Sequence, residues 1–336
     1  THIGTDNKWK SVAVSRFFGH TAIGLKTDGT LWAWGEGETG ALGLGNYANQ
    51  TVPKQIGTDK DWASVTIGDH STLALKTDGT LWGWGWNNNG TLCNLPSHVK
   101  TPTQIGTDHD WVEVFAVSTS AYGIKADGSL WVWGAADNNV LGLNDEEITK
   151  QKTPAKITTI SEKVVFISGY RNGRVVGVGA NGVATKVYVW GTNEDGALGN
   201  GTGVAADNPG GGITFTGVPV QTKLPEGTKI TQLSSGEAYT IVLTDDGKLY
   251  GWGKNRGGQL GDHSSEAQML FSTLPIPAGE KAKEEQDVFT FDAKNIPSSL
   301  KSAKQLILTG EWGTADFAAL TAAIGNNSGF PPAGNN

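Results

Sequence analysis

The 336-residue chain contains one cysteine, Cys93, so no disulfide can form within it. That scarcity leaves the redox compartment open, because a chain this long can bury an adequate core without covalent staples. Arginine is also scarce, with only Arg16, Arg171, Arg174 and Arg256 present. The 26 basic residues are outnumbered by 33 acidic ones, for a net charge of −7. Proteins that grip phosphate backbones cluster their Lys and Arg. No such cluster occurs here, which argues against nucleic acid as a partner. Charged residues make up 18% of the chain, below the roughly 25% of an average soluble protein. No run approaches the ~18 apolar residues of a membrane-spanning helix. The opening Thr1-His2-Ile3-Gly4 has neither an initiator Met nor a signal-peptide pattern. A mature or trimmed product is therefore expected, with its targeting segment outside this sequence.

Glycine (48 residues) and tryptophan (13) are abundant instead. That balance suits many short strands joined by tight turns and packed through aromatics. Internal repeats bear this out. Residues 24–35 read GLKTDGTLWAWG, 74–85 ALKTDGTLWGWG, 123–134 GIKADGSLWVWG and 242–253 VLTDDGKLYGWG. A weaker copy, VGANGVATKVYVWG, covers 178–191. The closing glycines Gly35, Gly85, Gly134, Gly191 and Gly253 are spaced by 50, 49, 57 and 62 residues.

Each copy has a physical logic. The Asp-Gly pairs at 28–29, 78–79, 127–128 and 246–247 predict a two-residue hairpin turn with both residues at positive φ. Residues two apart share a sheet face, so Trp82 and Trp84 point one way and Leu81 and Gly83 the other. With both faces apolar or small, the sheet should be covered on both sides, as a propeller blade is by its neighbours. A Trp-x-x-Val strand opens three copies (Trp9/Val12, Trp62/Val65, Trp111/Val114). A Gly-x-Leu-Gly turn follows the tryptophans (40–43, 196–199, 258–261), and a Pro-x-x-Ile segment closes copies at 53–56, 102–105 and 154–157. Four short strands in roughly 50 residues make one blade.

The combined unit, from Trp-x-x-Val through Leu-Lys-x-Asp-Gly-x-Leu-Trp-x-Trp-Gly to Gly-x-Leu-Gly-x-Gly and Pro, resembles the regulator-of-chromosome-condensation repeat. The Ile-Gly-Thr-Asp…Trp wording at 56–62 and 105–111 resembles bacterial secreted and cell-surface members. The resemblance implies an all-β fold, a β-propeller of four-stranded blades. Five copies are visible where the family norm is seven. It implies a propeller at 1–278. Residues 279–336 are then a charged linker (279–287) and a small α/β appendage, with strand-like runs in 288–310 and an alanine-rich helix at 314–324. The wording of that tail resembles the cap of a following leucine-rich-repeat region.

No catalytic constellation is present in the sequence. The six histidines show no zinc spacing, and no nucleophile elbow or phosphate loop occurs. The acidic stretches 193–196 and 145–147 lack a full calcium-ligand series. No metal, no cofactor and no enzyme activity are expected. His20 and His70 occupy one repeat position, which predicts a structural hydrogen bond. Trp86 stands where the other copies carry Glu36, Ala135, Thr192 and Lys254, beside Asn87 and Asn88. An aromatic at a variable loop position is a candidate contact. Phe17, Phe18, Tyr170 and Arg171 are similar candidates, each against the plainer reading of local packing. The resemblance implies a non-catalytic interaction module of an extracellular or cell-surface bacterial protein, contacting a protein partner through propeller-face loops; one bacterial type of relative inhibits β-lactamases. Carbohydrate recognition through Trp86 is the alternative, ahead of guanine-nucleotide exchange and of an enzyme. The sequence sets no oligomeric state.

Overall fold

The computed structural model describes residues 8–15, 20–136, 140–143, 148–170, 173–201, 215–222, 224–236, 238–261 and 268–273. The chain divides into two units, Thr1–Glu280 and Lys281–Asn336, and all of these residues lie in the first. The expected linker and appendage after residue 278 fall outside the described residues.

Among the described residues, twenty strands form five groups of four. The first blade holds β1 (Trp9–Val14), β2 (Thr21–Lys26), β3 (Leu31–Gly35) and β4 (Gln50–Ile56). The second holds β5 (Trp62–Ile67), β6 (Ser71–Lys76), β7 (Leu81–Trp86) and β8 (His98–Gln104). The third holds β9 (Trp111–Val117), β10 (Ser120–Lys125), β11 (Leu130–Ala135) and β12 (Lys150–Lys156). The fourth holds β13 (Val164–Tyr170), β14 (Gly173–Ala180), β15 (Val183–Thr192) and β16 (Phe215–Gln221). The fifth holds β17 (Ile230–Gly236), β18 (Tyr239–Thr244), β19 (Leu249–Gly253) and β20 (Gln268–Thr273). Within each blade the strands pair antiparallel in chain order. No helix occurs among the described residues. The fourth and fifth blades are also joined by one residue pair, Ala184 of β15 with Ile230 of β17.

The turns correct one expectation. Gly29, Gly79, Gly128 and Gly247 have positive φ, but their aspartates do not. Gly29 N–H bonds the Lys26 carbonyl (3.0 Å) and Lys26 N–H the Thr30 carbonyl (2.9 Å). This is a type I turn closed by a left-handed glycine, not a two-residue turn. Aspartate serves by its side chain: Asp28 Oδ1 accepts from Thr30 N–H (3.1 Å) and from its hydroxyl (2.7 Å). The Thr30 hydroxyl oxygen in turn accepts the Trp32 indole N–H (2.9 Å), and Asp78, Thr80 and Trp82 repeat the chain. The true two-residue turn sits in the weakest copy, where Asn181 and Gly182 have φ of 54° and 73°. It lets β14 and β15 continue to the pair Ala180–Val183, which brings β15 within reach of β17.

The glycine that ends Trp-x-Trp-Gly is forced by close approach. Gly35, Gly85, Gly134 and Gly253 have φ near +100°, and a Cβ there would lie 2.1–2.6 Å from a carbonyl oxygen just before β2, β6, β10 or β18. That carbonyl accepts the N–H of the residue after the glycine: Glu36 N–H donates to the His20 carbonyl (2.8 Å), Trp86 to His70 (2.9 Å), Ala135 to Thr119 (3.0 Å) and Lys254 to Ala238 (2.8 Å).

The core lies between successive blades, which pack first strand on first strand. In blades two to five the tryptophan just before the closing glycine locks the joint. Trp84, Trp133, Trp190 and Trp252 are fully buried. Their indole N–H groups donate to carbonyls in the Gly-x-Leu-Gly-type turn of the preceding blade: Ala41 (2.8 Å), Thr91 (2.8 Å), Val140 (2.7 Å) and Ala197 (3.0 Å). A buried indole needs such an acceptor.

Candidate functional site

Antiparallel pairing in chain order places two connections of every blade, first-to-second and third-to-fourth strand, at the same end of the sheets. The Asp-Gly turns lie at the opposite end. Among the described residues, the candidates Trp86, Asn87, Asn88 and Tyr170 fall on the first kind of connection or at its edge. Phe17 and Phe18, between β1 and β2, lie outside the described residues, as does Arg171. Tyr170 closes β13, paired with Gly173, and its side chain is likewise outside the described residues.

In the second blade this loop end is well defined. Trp86 is half-buried, and its ring stands edge-on to His70, with centroids 5.2 Å apart. Next to His70, the buried Asp69 reaches the third blade: its Oδ2 accepts the Ser118 hydroxyl (2.7 Å), and its N–H donates to the Ser118 carbonyl (3.0 Å). Ser118 holds a left-handed backbone, φ 52°. Two buried atoms here, Asp69 Oδ1 and His70 Nδ1, have no partner among the described residues. Buried polar atoms without partners are uncommon; the Trp62 indole Nε1 is another in this blade.

The shared histidine position does not share a side-chain bond. His20 Nδ1 lies 3.0 Å from Glu36 Oε2 in an exposed pair, whereas His70 packs on Trp86. The repeated bond is made by the backbone carbonyl instead. Asn87 is a buried staple of its own loop. Its Nδ2 donates to the Cys93 (3.1 Å) and Leu95 (2.6 Å) carbonyls, and its Oδ1 accepts Leu92 N–H (2.8 Å). Asn193 and Asn255 bond Leu198 and Leu260 N–H in the same way. The signal was in the sequence, since each Asn follows the closing glycine by two residues. Asn88 is exposed.

Sequence reasoning missed Arg174. It is fully buried, donates from Nη2 to Ser120 Oγ (2.7 Å) and lies 4.8 Å over the Tyr122 ring, tying the fourth blade to the third. The acidic run 193–196 is also engaged structurally, with Asp195 buried and its Oδ1 3.7 Å from the Arg256 guanidinium. The run 145–147 falls outside the described residues. Burial pushes the Cys93 thiol up to about 12, so it stays protonated at neutral pH and is a poor nucleophile.

Known proteins share this architecture. The chain is similar to the human regulator of chromosome condensation, 32% identical over 120 residues, covering 36% of this chain and 25% of that protein. It is also similar to the ultraviolet-B receptor UVR8 of Arabidopsis thaliana, 32% identical over 138 residues, covering 39% of this chain and 28% of that one. Across the curated relatives, the matched stretch spans between 2% and 28% of their own length. Among solved structures, yeast RCC1 (Prp20) with Kap60 bound superposes with a TM-score of 0.62 at 22% identity, covering 80% of this chain and 64% of that one. The regulator of chromosome condensation (RCC1) repeat itself matches residues 28–75, 127–171, 186–243 and 246–281, with a second form of the repeat at 62–91 and 230–259. With repeats matched over more than half its length and the blades that those repeats encode, the chain belongs to the RCC1-repeat family.

Proposed function

We propose that the chain is a non-catalytic interaction module that recognises a protein partner through the loop end of its blades. The observation that carries this reading is the second-blade cluster, where Asp69 Oδ1 and His70 Nδ1 lie without partners beside Trp86. The second tryptophans of blades two to five and the loop asparagines Asn87, Asn193 and Asn255, by contrast, are engaged inside the protein. The indole latches hold the loops on a stiff frame, which lowers the ordering cost of binding. The nature of the relatives supports a protein partner: yeast Prp20p is described with Kap60 bound, and for its binding to Gsp1p and histones. The proposal extends to an extracellular or cell-surface bacterial setting, supported by the Ile-Gly-Thr-Asp…Trp wording of the connectors.

The test is affinity capture with the immobilised chain and its Trp86→Ala variant, using membrane and secreted fractions. The expected result is a saturable protein retained by the parent and lost by the variant, at an unchanged unfolding midpoint. Retention that ignores Trp86 would remove this site from the proposal. Retention of glycan alone would put carbohydrate recognition in its place.

A further inference from the structure

The charges of the second blade are sorted by end. At its turn end exposed carboxylates collect: Asp78 in the turn, and the pairs Asp59/Asp61 and Asp108/Asp110 in the connectors that enter β5 and β9. Its loop end is the reverse. The connection 86–97, which carries Trp86, holds no charged residue. It is bordered by two strand starts, His98 and Lys100 of β8 and Lys150 and Lys152 of β12, all four exposed. The fourth strands β4, β8 and β12 contain no Asp or Glu. Their exposed side chains are therefore cationic or neutral, in a chain whose net charge is −7.

These lysines are held close to Trp86. Trp86 and His98 are directly opposed partners of β7 and β8, so their side chains share a face. The His98 ring meets Tyr47 of the first blade edge-on, with centroids 6.4 Å apart, and the Lys100 ammonium lies 4.9 Å over the same Tyr47 ring. Tyr47 is itself 42% exposed. From the third blade, Lys150 donates to the Asn88 carbonyl, which occupies one of its three N–H donors and leaves its charge in place. With His70 against Trp86, this loop end is a strip of rings, His70, Trp86, His98 and Tyr47, bordered by ammonium groups. Among the described residues of the first two blades, few carboxylates share that end. Asp69 is buried and bonded to Ser118, Glu36 faces His20, and Glu38 is exposed on the first blade. The carboxylates between β11 and β12 fall outside the described residues.

We infer that this strip is the seat of an acidic peptide segment of the partner. Carboxylates of that segment pair with Lys100, Lys150 and Lys152, while an apolar side chain covers Trp86 and Tyr47. The inference rests on the proposed reading of Trp86 as a contact residue and adds the chemistry of what it contacts. Charge complementarity chooses the occupant. Screening confines the field of an exposed lysine to about 8 Å at physiological ionic strength, so a short acidic segment meets only these cations. An extended polyanion, whether nucleic acid or anionic membrane, spans far more of a net acidic surface and is repelled by it.

The test is selection of short random peptides on the immobilised full chain, comparing the retained sequences with the starting pool. The expected result is enrichment of Asp and Glu together with apolar residues, weakened by added salt. Lys100→Gln/Lys150→Gln/Lys152→Gln should reduce the acidic enrichment at least several-fold. Lys100→Glu/Lys150→Glu/Lys152→Glu should turn the preference toward Lys and Arg, a reversal that a merely structural role would not produce. All three side chains are exposed, so the unfolding midpoint should barely move. A pool no richer in Asp and Glu than the start overturns the inference, and so does acidic enrichment that ignores the three lysines. Single-stranded DNA or phosphatidylserine vesicles binding as tightly as the retained peptides would overturn it too. Trp86→Ala keeps these failures apart from failure of the contact site. Selection that needs Trp86 but not the lysines leaves the contact site standing and removes its acidic partner. Selection that needs the lysines but not Trp86 supports the acidic seat and removes Trp86 from it.

Discussion

The first three blades and the last two fill the same place differently. In the first three, a lysine lies between two indoles: Lys26 with Trp9 and Trp32, Lys76 with Trp62 and Trp82, Lys125 with Trp111 and Trp131, at 3.8–5.0 Å from the ring centroids. Register shows what replaces them. Trp62 pairs with Lys76, whereas Val164 pairs with Val178 in the fourth blade and Ile230 with Thr244 in the fifth. Yet the indole latch and the closing glycine occur in both halves. The latch therefore defines the joint between blades, and the cation stack is one exchangeable way of covering a blade's flank.

Breaking the common feature should have the largest effect. Trp84→Ala or Trp190→Ala should lower stability by about 3–5 kcal/mol, from the cavity and the lost indole bond, as measured by urea unfolding. Similar losses at both positions would confirm that the latch is common; a loss confined to Trp84 would contradict it. Asn87→Ala should cost about 2–3 kcal/mol, because buried carbonyls and an N–H lose their partners, while Asn88→Ala should stay within about 0.5 kcal/mol.

The exchangeable feature should cost less. Lys76→Met should remove about 0.5–1 kcal/mol of cation–π attraction. It should also change the alkaline limb of stability. Burial works against the Lys76 charge, but hydrogen bonds to Asp59 and Asp61 outweigh it and hold its pKa above the ordinary 10.5. Lys125 is raised by Asp108 and Asp110 against the same burial. The stability these lysines bring is fully present below pH 10.5 and fades as pH climbs through their folded values. Lys76→Met should flatten that limb. The smallest effect concerns the turns: the Thr80 hydroxyl and N–H lower the Asp78 pKa below the ordinary 3.8. Its contribution is present above that value and fades as pH falls further, so Asp78→Asn should slightly flatten the acid limb.

Part of this was legible in the residues and part was not. The closing glycines and the tryptophans before them located the five copies that form blades among the described residues, because a position that recurs in register reports a shared backbone demand. Asn87 obeyed the same rule with Asn193 and Asn255, and applying it there would have separated it from Asn88. The Asp-Gly dipeptide misled, because a type I turn with a left-handed glycine and a two-residue turn accept the same pair. The difference lies in the φ of the first residue, which the letters do not carry.

By itself, then, the sequence determined the repeat, its hairpins and the all-β class, since these depend on periodicity and local backbone preference. Only the tertiary structure decided that the last tryptophan of the hairpin in blades two to five reaches back to the blade before it, that Arg174 is a tie between blades, and that the buried Asp69 adjoins a half-buried His70 packed on Trp86. Those facts depend on which surfaces meet between segments some 30–60 residues apart, and no local pattern encodes that meeting.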